Sequence, residues 1–148
     1  PACEMRECQA VGFSSVPAID CRIAVSATTQ MHRAVVVTGF PYDHDRFAAA
    51  YGRTVAAVLA EVNGVRRIGS AALDFGWLAA GRFDGYWEYG LGAWDMAAGA
   101  LIVTEAGGLI TDTHGGKFTP ECRHFVAANP HLHEPLRAVI EPVLPAHL

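Results

Sequence analysis

The sequence predicts an α/β fold, a layered α-β-α sandwich, and three observations carry that expectation. Short β-branched or aromatic runs alternate along the chain with stretches of helical period. The run at residues 34–40 is continuous and β-branched, as suits a strand buried on both faces of a sheet. The segments at 70–80 and 94–103 are apolar on nearly every side, so helices formed there are expected to be buried between layers.

The elements follow in order. Residues 1–22 have no clean period and hold three of the four cysteines, so they read as an irregular segment preceding a lobe at 23–148. Residues 22–26 alternate weakly and suggest a short strand. The strand at 34–40 ends at Pro41, and Asp43 or Asp45 offers a helix cap. Phe47, Tyr51, Val55, Val58, Leu59 and Val62 then recur at helical spacing until Asn63-Gly64 stops the helix. A strand at 65–68 ends at Gly69, and a helix at 70–80 ends at Gly81. Residues 84–89 form an aromatic-rich strand, and Trp94-Asp95 opens a helix that Gly107-Gly108 ends. Two more strands are predicted at 109–112 and 124–127. Pro135 starts a last helix carrying Leu136, Val139 and Ile140, which Pro142 kinks or ends.

Composition narrows the function classes. The 148 residues fit one domain or one large lobe, and 51% hydrophobic with 18% charged residues is a globular balance. The net charge is -4, Lys117 is the sole lysine and Arg66-Arg67 is only a pair, so no nucleic-acid partner is expected. The longest apolar stretch, 96–103, is too short to cross a bilayer, so no membrane partner is expected either. Cys3, Cys8, Cys21 and Cys122 lack the density of a disulfide scaffold and read as reduced thiols of a cytoplasmic protein. Cys122-x-His124 and His131-x-His133 lack the paired spacing of a structural zinc site. No spacing for serine or cysteine nucleophilic catalysis appears, and no Walker loop.

The chemistry concentrates at 85–99. Asp95 stands at the mouth of a helix, where unpaired N–H groups and the helix dipole favour its ionised form by roughly 0.3–1 kcal/mol when exposed and up to ~2 when partly buried. An ionised, half-buried carboxylate is a good hard ligand for Mg2+. Taken alone, Asp95 reads as well as a simple helix cap. Glu88, seven residues earlier at the end of a strand, changes that weighting. Two acids aimed at one helix mouth are costly unless a cation or a set of sugar hydroxyls lies between them.

Trp94-Asp95-Met96-Ala97-Ala98-Gly99, followed by Glu105-Ala106-Gly107-Gly108, resembles a signature of the inositol monophosphatase family. Upstream, Val37-Thr38-Gly39-Phe40-Pro41-Tyr42, Arg67-Ile68-Gly69-Ser70-Ala71-Ala72-Leu73-Asp74 and Ala79-Ala80-Gly81-Arg82-Phe83-Asp84-Gly85-Tyr86 fall in the family's order, and the resemblance runs from about residue 23 to about 129. It implies the C-terminal lobe of the family's fold and Mg2+-dependent hydrolysis of a small phosphorylated polyol. Inositol monophosphate is the first expectation, with histidinol phosphate and sugar phosphates as related substrates. By resemblance, Asp95 ligates a metal and acts in catalysis, Glu88 binds substrate hydroxyls, and Gly69, Ser70 and Ala71 contact the polyol. Gly69-Ser70 is suited to that role because it opens a helix whose first N–H groups are free. The full-length protein is expected to be a homodimer.

The departures bear equally on function. The family's N-terminal glutamate pair and its Asp-Pro-hydrophobic-Asp-Gly-Thr loop are absent, and the chain opens on Pro1 without methionine. One aspartate does not hold two octahedral Mg2+ ions. The chain is therefore expected to be the substrate-side half of an enzyme, inactive alone, or else a truncated, non-catalytic family member that binds ligand or dimerises. A half of this kind should expose apolar surface and self-associate. Among the remaining residues, Asp74 reads as a hydrogen-bonded structural group and Arg66 as a surface arginine. Trp77, Trp87 and Trp94 read as core, and Glu105 as a local pair or cap.

Overall fold

The computed structural model describes residues 22–41 and 44–144. The expectations for the first 21 residues and for Asp43 as a helix cap lie outside the described residues. The elements run β1 (Val35–Thr38), α1 (Ala48–Glu61), β2 (Gly64–Arg66), α2 (Ala71–Ala79), β3 (Gly85–Tyr89), α3 (Ala93–Glu105), β4 (Leu109–Thr111), β5 (His124–Ala128) and α4 (His133–Ile140). The five strands form one mixed sheet in the order β2-β1-β3-β5-β4. β1 pairs parallel with β2 and β3, whereas β5 pairs antiparallel with β3 and β4.

The sheet separates two cores, which is the layered sandwich that the alternation predicts. On one face Val36, Trp87, Tyr89, Val126 and Ala128 pack against Tyr51 and Val58 of α1 and Leu136 and Ile140 of α4. On the other, Val37, Tyr86, Phe125 and Ala127 pack against Phe75 and Leu78 of α2 and Met96 and Val103 of α3. Successive strand residues thus serve opposite layers, and all five residues of β3 are buried. Burying one such Leu, Ile or Val side chain contributes roughly 1.5–3 kcal/mol. The start of β1 is held by a side chain, since Asp84 Oδ2 accepts the Val35 N–H at 2.7 Å. Asn129 Oδ1 accepts the N–H groups of His131 and Leu132 at 2.9 and 3.1 Å, a turn that launches α4 two residues ahead of Pro135.

Three expectations are corrected. Residues 22–26 form no strand. The Val25 N–H donates to the Ala106 carbonyl at 3.1 Å, and the segment runs against Gly81, where a Cβ would meet the Ala24 carbonyl oxygen at 3.0 Å. Nor is α3 buried all round. It packs through Met96, Gly99, Ala100 and Val103, an i, i+3, i+4, i+7 face, and leaves Trp94 86% and Leu101 62% exposed. Trp94 therefore is not a core residue, unlike Trp87, which is 1% exposed. Apolar composition gave α3 no polar side, but only one side has a partner among the described residues.

Candidate active site

The chain order of the sheet creates the site. From β1 the chain moves outward to β2, then crosses back to β3 on the other side of β1. In open α/β sheets a crevice forms at the carboxyl ends of strands where the winding reverses in this way. Here a cavity of about 390 Å³ opens there. Its lining includes Gly39, Phe40 and Pro41 beyond β1, and Glu88, Gly90 and Leu91 at the end of β3. Gly69, Ser70, Ala71, Ala72 and Asp74 line it from the start of α2, Asp95 from the start of α3, Arg67 from the loop after β2 and His44 from the 3-10 turn before α1. All five residues singled out from the sequence, Gly69, Ser70, Ala71, Glu88 and Asp95, thus line one cavity.

Each is placed by a local device. Gly69 has φ +88, a left-handed conformation that turns the chain from β2 into α2. Ser70 follows in extended geometry at the N-cap, and its hydroxyl makes no capping bond. The first N–H groups of α2 therefore keep their donors for something else, which is an anion site in outline. Asp95 is the third residue of α3, and its Oδ2 accepts the Gly92 N–H at 3.1 Å in a capping-box arrangement. Oδ1 takes no hydrogen bond among the described residues.

Glu88 is 6% exposed, and the Tyr86 hydroxyl donates to its Oε2. Burial pushes the Glu88 carboxyl up to about 7, against the pull of the Tyr86 hydrogen bond, with Asp74 raising it further. The carboxyl fits only because position 39 is glycine, since a Cβ there would run into the Glu88 carboxylate. Asp74 corrects the reading of a hydrogen-bonded structural group. It is 1% exposed, yet neither carboxylate oxygen has a partner among the described residues. Burial raises it to about 6, while the Arg67 guanidinium draws it back down.

Sequence reasoning gave Arg67, His44 and Gly39 no role at the site, and Asp74 only a structural one. Arg67 stands two residues before the recognised Gly69-Ser70, and Asp74 four after Ser70. Their membership follows from the turn at Gly69 and from the first turn of α2, which spacing alone does not orient. Among the described residues no three His, Cys, Asp or Glu side chains converge on a metal position. His124 and His133, considered above for zinc, instead make hydrogen bonds to Thr113 and Thr111. Glu105 is exposed at the end of α3.

Comparison with known proteins places this geometry. The profile of the inositol monophosphatase family matches residues 3–144. The chain is 44% identical over 127 residues to the inositol-1-monophosphatase of Rhizobium meliloti, covering 86% of this chain and 48% of the relative. It is 40% identical over 129 residues to the Nus factor SuhB of Pseudomonas aeruginosa, with the same coverage of 86% and 48%. Among solved structures, the extragenic suppressor protein suhB of Bartonella henselae superposes with a TM-score of 0.77 at 41% identity, over 83% of this chain and 48% of that one. The inositol monophosphatase of Anabaena superposes with a TM-score of 0.78 at 35% identity, over 84% and 50%. The chain thus spans about half the length of the curated relatives it matches. With profile, sequence and sheet topology in agreement, it belongs to the inositol monophosphatase family.

Proposed function

We propose that this chain supplies the substrate-side half of a Mg2+-dependent phosphomonoesterase acting on a small phosphorylated polyol, inositol monophosphate first among them. One observation carries the reading. Three segments far apart in sequence, at Gly69–Ala71, Glu88 and Asp95, bring a helix N-terminus, a polyol acceptor and a metal-type carboxylate to the wall of one cavity.

The residues divide the work. The free N–H groups and small side chains at the start of α2, Gly69, Ser70 and Ala71, contact the polyol, with Arg67 lining the same cavity. Glu88 accepts hydrogen bonds from the polyol, its orientation held by Tyr86. Asp95 fits one coordination position of a hard cation, because Gly92 fixes one oxygen and the other takes no donor. When bound, Mg2+ supplies an activated water and neutralises charge on the leaving oxygen. The described residues offer too few ligands for a whole octahedron, so catalysis needs further ligands beyond those of this cavity.

The test is a phosphatase assay with Mg2+ over a panel of polyol phosphates. The 148-residue chain is expected to be inactive alone. A protein joining it to the N-terminal half of the Rhizobium meliloti relative is expected to hydrolyse inositol monophosphate, and Asp95→Asn to lower kcat by about 100-fold or more. An unchanged rate in Asp95→Asn removes Asp95 from the mechanism and the proposal with it.

A second reading is a non-catalytic family member that binds ligand or dimerises. The exposed apolar side of α3, with Trp94 and Leu101, favours it. Its mark is an inactive joined protein that still binds inositol monophosphate.

A further inference from the structure

We infer that Asp74 is a specificity-determining residue of this cavity, an acceptor that works beside Glu88 on neighbouring hydroxyl groups of the bound phosphate ester, directly or through one ordered water. The inference deepens the reading of the cavity as a phosphate-ester site and rests on it.

Asp74 is a side chain that the fold itself does not explain. It sits in the first turn of α2, is 1% exposed, and leaves both carboxylate oxygens without a partner among the described residues. A buried acceptor without a donor costs the full loss of its hydration, and more so when charged. An apolar side chain of the same size would bury at this position without that cost. Neighbouring Phe75 and Leu78 show that the same helix packs well with apolar groups. Asp74 differs from them in lining the cavity.

The polar groups of the cavity are unevenly divided, and the division selects a ligand. Tyr86 occupies Glu88 Oε2. Glu88 Oε1 and both oxygens of Asp74 take no donor among the described residues, and the Ser70 hydroxyl makes no capping bond. The donors are gathered at the α2 N-terminus and on Arg67, whose charge acts on both acids. The unfilled acceptors therefore complement a ligand rich in hydroxyl donors. Two acids on one cavity wall offer Glu88 Oε1 and both Asp74 oxygens to separate hydroxyl donors. An ester without hydroxyls would leave Asp74 as unsatisfied as before, which is how buried polar groups discriminate between ligands.

The experiment uses the 148-residue chain with Mg2+ and three probes, inositol 1-phosphate, phenyl phosphate and 2-aminoethyl phosphate. Their affinities are measured by titration calorimetry in wild type, Asp74→Asn, Asp74→Leu and Glu88→Gln, alongside thermal melts. Both Asp74 variants are expected to melt at or above the wild-type temperature, and to lose about tenfold or more of the preference for inositol 1-phosphate. Glu88→Gln is expected to lose preference as well. A melting point lowered by several degrees in both Asp74 variants overturns the inference, because Asp74 would then be a structural group. So does an unchanged preference in variants that melt normally, and in that case the phosphate-ester reading stands. If wild type binds none of the probes, the reading of the cavity falls and this inference falls with it. If 2-aminoethyl phosphate is preferred and that preference needs Asp74, the site takes an ammonium group and the hydroxyl assignment is overturned.

Discussion

Gly39 and Glu88 are in direct contact at the carboxyl ends of adjacent parallel strands, with no room between them for a single methyl group. Thr38 pairs with Trp87, so residue 39 stands beside residue 88 one step further on. The glycine lets the acid fold across the strand end, where it lines the cavity and takes the Tyr86 hydrogen bond. A larger residue at position 39 would displace Glu88 or the end of β1.

Gly39→Ala is accordingly expected to destabilise the fold by about 1–3 kcal/mol, the usual range for overpacking. Most of that loss should vanish in a Glu88→Ala background, where the added methyl has space. A double-mutant cycle by chemical denaturation measures the coupling. Equal losses in both backgrounds would show that the two residues do not compete for the same volume.

Asp74 makes stability depend on pH in a defined direction. Its carboxyl is raised from 3.8 to about 6 by burial. Between those values the folded state holds a proton that the unfolded state has lost. Stability therefore falls as pH rises from about 4 to about 6, by roughly 3 kcal/mol at 1.36 kcal/mol per pKa unit, and the penalty is fully present above that window. Half-buried His124 and buried His133, both lowered, push in the opposite direction. Their contribution cancels in the difference between wild type and Asp74→Asn. That difference, from urea melts across pH 4–7, is expected to grow in favour of the variant as pH rises. A flat difference would mean that Asp74 is solvated or paired.

The packing of α3 on α2 depends on Gly99. A Cβ there would press into the Phe75 ring, with ring atoms at 2.5 Å, and Phe75 itself stacks on Phe125 of β5. The ring has no route of retreat in a filled core. Gly99→Ala is expected to cost about 1–3 kcal/mol despite the better helix propensity of alanine, which offsets about 1 kcal/mol at most. Equilibrium unfolding checks it, and a stabilised variant would show that the helices separate readily.

The open side of α3 carries Trp94, Leu101 and Ile102, all exposed. Leu73 of α2 is 48% exposed as well. The 148-residue chain is expected to self-associate at high concentration through this apolar surface. Trp94→Ser with Leu101→Glu should reduce that association and shift stability by no more than about 0.5 kcal/mol for each exposed change. Sedimentation velocity decides between the two states. A monodisperse wild-type monomer would show that this side tolerates water.

Much of the fold was legible because local chemistry and final environment agree. The β-branched run at 35–38 is a strand, and Asn63-Gly64 and Gly107-Gly108 do end helices. The weak alternation at 22–26 misled, because the Val25 N–H goes to the Ala106 carbonyl at the end of α3 and not to a strand. Asp95 was legible as a helix-mouth acid, since the capping geometry is made within four residues. Asp74 was misread, because its isolation depends on what α2 meets and not on α2 itself.

What the sequence determined by itself is therefore the set of elements, their alternation, the family and the acids at strand and helix ends. The elements and the acids follow from periodicity, turn residues and spacing, all of which act within a few residues, and the family from the resemblance of four motifs in order. Only the tertiary structure decided which side of α3 is covered, that Gly39 makes room for Glu88, and that Asp74 lines the same cavity as Arg67 with no hydrogen-bond partner among the described residues. Those are contacts between segments tens of residues apart, and they exist only once the crossing from β2 back to β3 has closed the sheet.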